Sequence, residues 1–206
     1  MRSPGKQNSK TKSAILDAAR RQFAHFGFSK VTMGEIAVEA AMAKASLYYY
    51  FPTKENLFHA VMVNEHQEFM NSFRAILERD LSAADRVRAY VNLRYEYFNK
   101  MLTMNILDLR SSGTMKPVFA ATYEDFSRQE LKVLRLIIED GRARKEFVVR
   151  SADKIAEALH HVTQGLRCRF VRAAGGPRIE PKEYNRLKQE LQFVTDIFLR
   201  GIGRQN

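Results

Sequence analysis

Between residues 31 and 58 the chain carries two short helical patterns back to back. The second closes on four aromatics and a proline, Tyr48-Tyr49-Tyr50-Phe51-Pro52. No long helix or strand can run through this stretch, because it contains its own start and stop signals. Thr32-Met33-Gly34-Glu35 has the spacing of a capping box, in which hydroxyl and carboxylate each satisfy the other residue's backbone amide. The helix it opens carries Ile36, Ala37 and Ala40 on one face. A tight connection follows near 41–43. The spacing predicts a second helix over 44–50, with Leu47 and Phe51 four apart on its inner side. Pro52 ends it, since proline disfavours helix in the residue before it. Thr53 then caps a third element, and Lys54-Glu55 begin its first turn.

Upstream, Ala14, Ile15, Ala18, Ala19, Phe23 and Phe26 recur at helical spacing, and Gly27 stops that helix. Three helices within about forty residues make the smallest helix-turn-helix unit. A short helix that crowds tyrosines beside Lys44 suits a DNA groove better than a protein core.

The motifs Ile15-Leu16-x-Ala18-Ala19, Phe23, Gly27, Thr32, Ile36-Ala37 and Leu47-Tyr48-Tyr49-Tyr50-Phe51-x-x-Lys54-Glu55-x-Leu57 resemble the N-terminal signature of TetR-family transcriptional regulators. The resemblance covers about residues 12–60. It implies an all-α protein: an N-terminal three-helix helix-turn-helix domain joined to a larger helical ligand-binding and dimerisation domain. The boundaries expected are a disordered tail over 1–11, a DNA-binding domain over 12–53 and a helical domain over 54–206. Here the turn reads Ala41-Met42-Ala43, without the glycine usual in the family. A side chain tolerates positive φ poorly, so a less regular turn is expected.

The 44–50 helix is then the element that enters the major groove. Lys44, Ser46 and Tyr48, early on it, are expected at base edges. Tyr49, Tyr50 and Lys54 are expected at phosphates, and Thr32 at a phosphate in addition to its cap.

The charge distribution agrees. The chain has 206 residues with 34 basic and 23 acidic side chains, net +11. Residues 1–54 alone hold nine lysines and arginines against three acids, which implies a polyanionic partner, double-stranded DNA, at this end. The single cysteine, Cys168, excludes an intrachain disulfide and points to a reducing compartment. No apolar run is long enough for a transmembrane span. The first residues lack the apolar core of a signal peptide, so a cytoplasmic location is expected.

From residue 57 onward the chain reads as helix after helix: 57–77, then from a Ser82 cap to about 102, a short piece at 106–110, then 116–139. A basic loop follows, with an extended stretch at Phe147-Val148-Val149. Ser151 opens a helix to about 171, Gly175-Gly176-Pro177 breaks the chain, and a last helix runs to about 200. On the final two helices, Ile155, Leu159, Val162, Leu166 and Phe170, and Tyr184, Leu187, Leu191, Val194 and Phe198, form apolar stripes at helical steps. The family resemblance implies that these helices pair with their copies in a homodimer. The interface residues expected are Leu159, Val162, Leu166, Phe170, Leu187, Leu191, Val194 and Phe198. Phe193 and Ile197 broaden the last stripe, and Gly165 suggests a close helix crossing.

The middle helices are loaded with aromatic and methionine side chains between 90 and 126. The resemblance implies a small-molecule effector, apolar or amphipathic, bound there. The candidate contacts are Tyr95, Phe98, Met101, Phe119 and Tyr123, with Arg94 as an anchor for an acidic ligand.

No catalytic constellation is present: no Gly-rich phosphate loop, no His-Glu-x-x-His, and no credible base beside Ser111-Ser112. His59 and His66 stand two turns apart, and the adjacent His160 and His161 face different directions, so neither pair has metal-ligand spacing. No metal and no cofactor are expected. The reading is a homodimeric, ligand-responsive regulator, a repressor, acting on a palindromic operator and not an enzyme. An activator or ligand-independent regulator of the same fold is the alternative. A helical small-molecule-binding enzyme or carrier is the alternative from another class.

Overall fold

The computed structural model describes residues 4–104, 116–174 and 181–204. Among them the chain forms eight helices: α1 (Pro4–Phe26), α2 (Met33–Glu39), α3 (Lys44–Tyr50), α4 (Lys54–Leu77), α5 (Ala83–Thr103), α6 (Lys116–Ala143), α7 (Ala152–Ala174) and α8 (Pro181–Ile202). The short piece expected at 106–110, Ser111-Ser112 and the break at 175–177 lie outside the described residues.

The helix ends follow local chemistry. The Thr32 hydroxyl accepts from the Glu35 amide at 3.3 Å, and the Thr32 amide donates to Glu35 Oε2 at 2.8 Å, so the capping box is complete. These bonds hold the Glu35 carboxylate below its usual pKa range. At α4 the Asn56 amide donates to Thr53 Oγ1 at 3.0 Å, and at α5 the Asp85 amide donates to Ser82 Oγ at the same distance. Gly27, at φ 80°, ends α1. Helix α1 starts at Pro4, within the stretch 1–11 drawn from sequence as a tail. Proline suits the first position of a helix, and extending a helix already nucleated by the 14–26 face fixes few new dihedrals per hydrogen bond.

The connection between α2 and α3 is regular, against the expectation for a turn without glycine. Ala41 adopts φ 52°. Its amide donates to the Val38 carbonyl at 3.0 Å, and the Met42 amide donates to the Ala37 carbonyl at 3.0 Å. These are the two bonds of a Schellman motif, with alanine in the left-handed position.

Two compact units are present: one of residues up to 68 with 98–122, the other of 69–97 with 123–206. The first reaches past the boundary at 53/54 drawn from sequence, because Leu57 and Phe58 at the start of α4 are fully buried. Its core gathers Ile15, Ala18, Ala19 and Phe23 of α1, Ile36 and Ala37 of α2, and Leu47 of α3. Phe23, Phe28 and Phe58 form an aromatic cluster, with ring centres 5.1–5.6 Å apart. Glu65, buried on α4, pairs with Arg20 of α1 at 3.4 Å and with Lys100 of α5.

In the second unit, Tyr90, Leu134, Ile137, Ile138, Leu159, Leu187 and Leu191 are buried. Gly141 lies inside α6, which continues past it to Ala143; a Cβ there would stand 2.3 Å from the Phe147 ring, so the glycine serves that close approach. The extended stretch expected at 147–149 pairs with the C-terminal residues: the Val148 amide donates to the Ile202 carbonyl at 2.8 Å. Among the described residues, no helix is long and apolar enough to cross a membrane.

Candidate nucleic-acid interface

Helix α3 is anchored by one face and open on the other. Leu47 and Phe51 are buried, whereas Lys44, Ala45, Ser46, Tyr48 and Tyr49 are exposed and Tyr50 is half-buried. Tyr49 is 83% exposed, a large aromatic with little contact in its own subunit. Exposing such a ring to water is unfavourable, so its retention on a surface points to a partner. Tyr49 and Tyr50 meet edge to face at 5.4 Å, and the Lys44 ammonium lies 6.0 Å from the Tyr48 ring. Thr11, Met42, Ala45, Ser46, Tyr49 and Tyr50 line a shallow groove along this face. Lys10 and Lys12 of α1 are exposed, and Lys12 Nζ lies 5.7 Å from the Phe51 ring at the base of α3. Assigning residues 1–11 to a tail hid Thr11 from the sequence reading. The signal that finds it is continuity with the apolar helical face that begins at Ala14.

Two expected contacts have other employment. Thr32 is exposed, but its hydroxyl and amide are both committed to Glu35. Lys54 Nζ donates to the Phe28 and Val31 carbonyls, each at 2.8 Å, and lies 4.3 Å over the Phe28 ring. An ammonium has three donors. Two are taken by carbonyls and the ring covers the remaining side, so this lysine ties α4 to the 27–32 connection rather than reaching outward. Arg20 and Arg21 are likewise engaged, by Glu65 and Glu39.

The expected ligand contacts are divided between the two units. Arg94, Tyr95 and Tyr123 belong to the second; Phe98, half-buried, and Met101, buried, belong to the first. The Phe119 side chain lies outside the described residues. Arg94 is not a free anchor: its Nε donates to Glu130 Oε2 at 2.9 Å, and the Tyr90 hydroxyl donates to the same oxygen at 2.6 Å. The Tyr95 hydroxyl donates to the Tyr184 carbonyl at 3.2 Å, which ties α5 to α8. No group of three or more metal-ligating side chains occurs among the described residues. His59 instead hydrogen-bonds Thr122 at 2.8 Å.

The expected dimer stripe is also divided. Leu159, Leu187 and Leu191 are covered within the chain itself, at 0–1% exposure, and belong to its core rather than to an interface. The inward face of α7 carries Ala156, Leu159, His160, Thr163 and Arg167, one position round from the apolar stripe read in sequence. Val162 is exposed, Leu166 and Phe170 of α7 are half-buried, and so are Val194 and Phe198 of α8. Phe193 and Ile197 are 67% and 54% exposed. At Gly165 nothing lies within 4 Å of a Cβ, so no close crossing occurs there within the chain.

A trihelical unit with a capped α2, a Schellman turn and an aromatic, outward-facing α3 defines a helix-turn-helix protein. Residues 15–61 match the description "Bacterial regulatory proteins, tetR family". A transcriptional regulator from Cytophaga hutchinsonii, known by crystal structure, is 36% identical with a TM-score of 0.87, over 92% of this chain and 97% of that one. The regulator RutR of Escherichia coli is 35% identical over 85 residues, 41% of this chain and 40% of that protein. UidR of the same organism is 28% identical over 111 residues, 54% of this chain and 56% of that protein. The chain spans about half the length of these two relatives. The chain belongs to the TetR family of transcriptional regulators.

Proposed function

We propose that the chain is a homodimeric, ligand-responsive repressor of the cytoplasm that binds a palindromic operator. The observation that carries this reading is the outer face of α3, where exposed tyrosines stand beside Lys44 and the α1 lysines. Lys44, Ser46 and Tyr48 read base edges in the major groove, while Tyr49 and Tyr50 lie along phosphates and Thr32 keeps to its cap. Lys10 and Lys12 add phosphate contacts. Lys54 contributes by fixing the start of α4. Two subunits associate through Val162, Leu166, Phe170, Val194 and Phe198, with Phe193 and Ile197 supplying the most exposed apolar surface. A two-fold dimer requires a self-complementary patch, and an apolar one suits it.

A small apolar or amphipathic effector is bound by the helices that follow the DNA-binding unit. It releases DNA only if it binds the non-DNA-binding arrangement more tightly, and the coupling then acts in both directions. Selection of binding sites from a random duplex pool with the purified chain tests the reading. The expected result is a two-fold-symmetric consensus, its half-sites spaced to match the two heads. A pool without enrichment overturns it.

A further inference from the structure

On α7, His160, Thr163 and Arg167 recur at steps of three and four and point into the second unit, at 1%, 1% and 3% exposure. Such residues seldom face a core without partners. Thr163 is served locally: its hydroxyl proton goes to the Leu159 and His160 carbonyls at 2.9 and 3.1 Å, which leaves its oxygen able to accept. The other two are not served. Both ring nitrogens of His160 and Nη2 of Arg167 are buried without a hydrogen-bond partner among the described residues.

The surrounding charges do not balance. Arg94 and Arg167 bring two guanidinium groups within electrostatic range of each other, and Glu130 is the one carboxylate acting on both. The Oε2 atom of Glu130 already receives Arg94 Nε and the Tyr90 hydroxyl. Among the described residues two buried guanidinium groups thus share one carboxylate, whose Oε1 is also buried without a hydrogen-bond partner there. Burial and the neighbouring Arg94 push the Arg167 guanidinium below its ordinary pKa, and an arginine nonetheless stays protonated. Two desolvated cations that share one counter-charge are costly to keep. Tyr123, half-buried, acts electrostatically on both guanidinium groups.

We propose that Arg167, with His160 and Tyr123, recognises the anionic group of a small ligand, so that the effector of this regulator is a monoanion and Arg167 is its anchor. Arg167 thus takes the role that sequence reading gave to Arg94, whose charge is spent on Glu130. An arginine fork pairs with a carboxylate through two parallel bonds, and the neutral imidazole supplies a further donor. The proposal rests on the effector-binding reading above.

The test uses the full chain in calorimetric titration and thermal-shift assays. The probes are straight-chain carboxylates from butanoate to dodecanoate and benzoate, each beside its uncharged alcohol. Inorganic phosphate forms a separate arm. At least one carboxylate is expected to bind about tenfold or more tightly than its alcohol, the difference of a charge-assisted contact. Arg167→Met removes that preference, and Arg167→Lys keeps part of it. Arg167-dependent binding of phosphate alone supports the anion site and makes a free inorganic anion its occupant. The ligand-free Arg167→Met protein melts no lower than the wild type, because it loses a buried cation whose Nη2 has no hydrogen-bond partner among the described residues. If no anion shows Arg167-dependent binding, or if ligand-free Arg167→Met melts well below the wild type, the proposal is overturned. Operator titration of the same samples separates the two levels: a wild type that binds operator but no anion loses only this inference.

Discussion

The Lys54 ammonium is bound twice by one residue: its Nζ lies 2.8 Å from the Phe28 carbonyl oxygen and 4.3 Å above the centre of the Phe28 ring. The lysine thereby closes the aromatic cluster of Phe23, Phe28 and Phe58 from the side of α4. Its loss is a folding defect first. Lys54→Met should cost about 1.5–3 kcal/mol of stability in denaturant titration, as for hydrogen bonds to a charged donor. Operator affinity should fall with it, while the salt dependence of binding stays as in the wild type. A salt slope lower by about one unit would mean that Lys54 neutralises a phosphate after all.

Ala41 carries strain that glycine would relieve. Its φ of 52° is reached by an alanine inside an otherwise regular Schellman turn. A side chain in this region costs about 1–2 kcal/mol, part of which glycine returns as entropy of the unfolded chain. Ala41→Gly should raise stability by about 0.5–1 kcal/mol, read as a higher Tm, without changing operator affinity.

Phe193 and Ile197 stand exposed on α8, beside half-buried Val194 and Phe198. Phe193→Glu should leave helix content intact, because the ring supports little of its own subunit. Sedimentation should report monomers, and operator binding should weaken by about a hundredfold or more, since two linked heads bind far better than one. A Phe193→Glu protein that sediments as a dimer would place the interface elsewhere.

His160 ties stability to pH. Burial pushes its imidazole down to about 4, with Arg167, Arg94 and His161 acting in the same direction and Glu130 against it. The unfolded chain then binds a proton below the ordinary histidine range, about 6.5, that the folded chain does not. Stability from this group is full above that value and is lost as pH falls toward 4, by up to about 3 kcal/mol. Denaturant titrations between pH 7 and 4.5 should show a slope that His160→Gln flattens. An unchanged slope in the variant would assign the dependence to other groups.

The N-terminal helices were legible because their limits are written locally. Thr32 and Glu35, Pro52, and Thr53 with Asn56 lie within a few residues of the ends they define. Positions that depend on distant partners were not legible. Lys54 looks like any first-turn lysine until the 27–32 connection folds over it. On α7, apolar spacing selects 155, 159, 162, 166 and 170, yet the helix turns Ala156, His160, Thr163 and Arg167 inward. A stripe drawn from apolar residues alone passes over a polar face that the fold turns inward. The start of α1 was missed for a related reason: residues 4–13 are polar, and only continuity with the apolar face behind them makes them helical.

The outer face of α3 carries the central claim, and Tyr48 tests it most directly, being 42% exposed and early on the helix. The measurement is a titration of wild type and Tyr48→Ala, with Lys44→Ala beside it, against the selected operator and against duplexes altered at single base pairs. The account predicts that each variant loses about 1–3 kcal/mol on the operator and discriminates less at particular base pairs, with Tm unchanged. If both variants bind the operator as the wild type does, with the same base preference, then α3 is not the reading helix and the account is wrong.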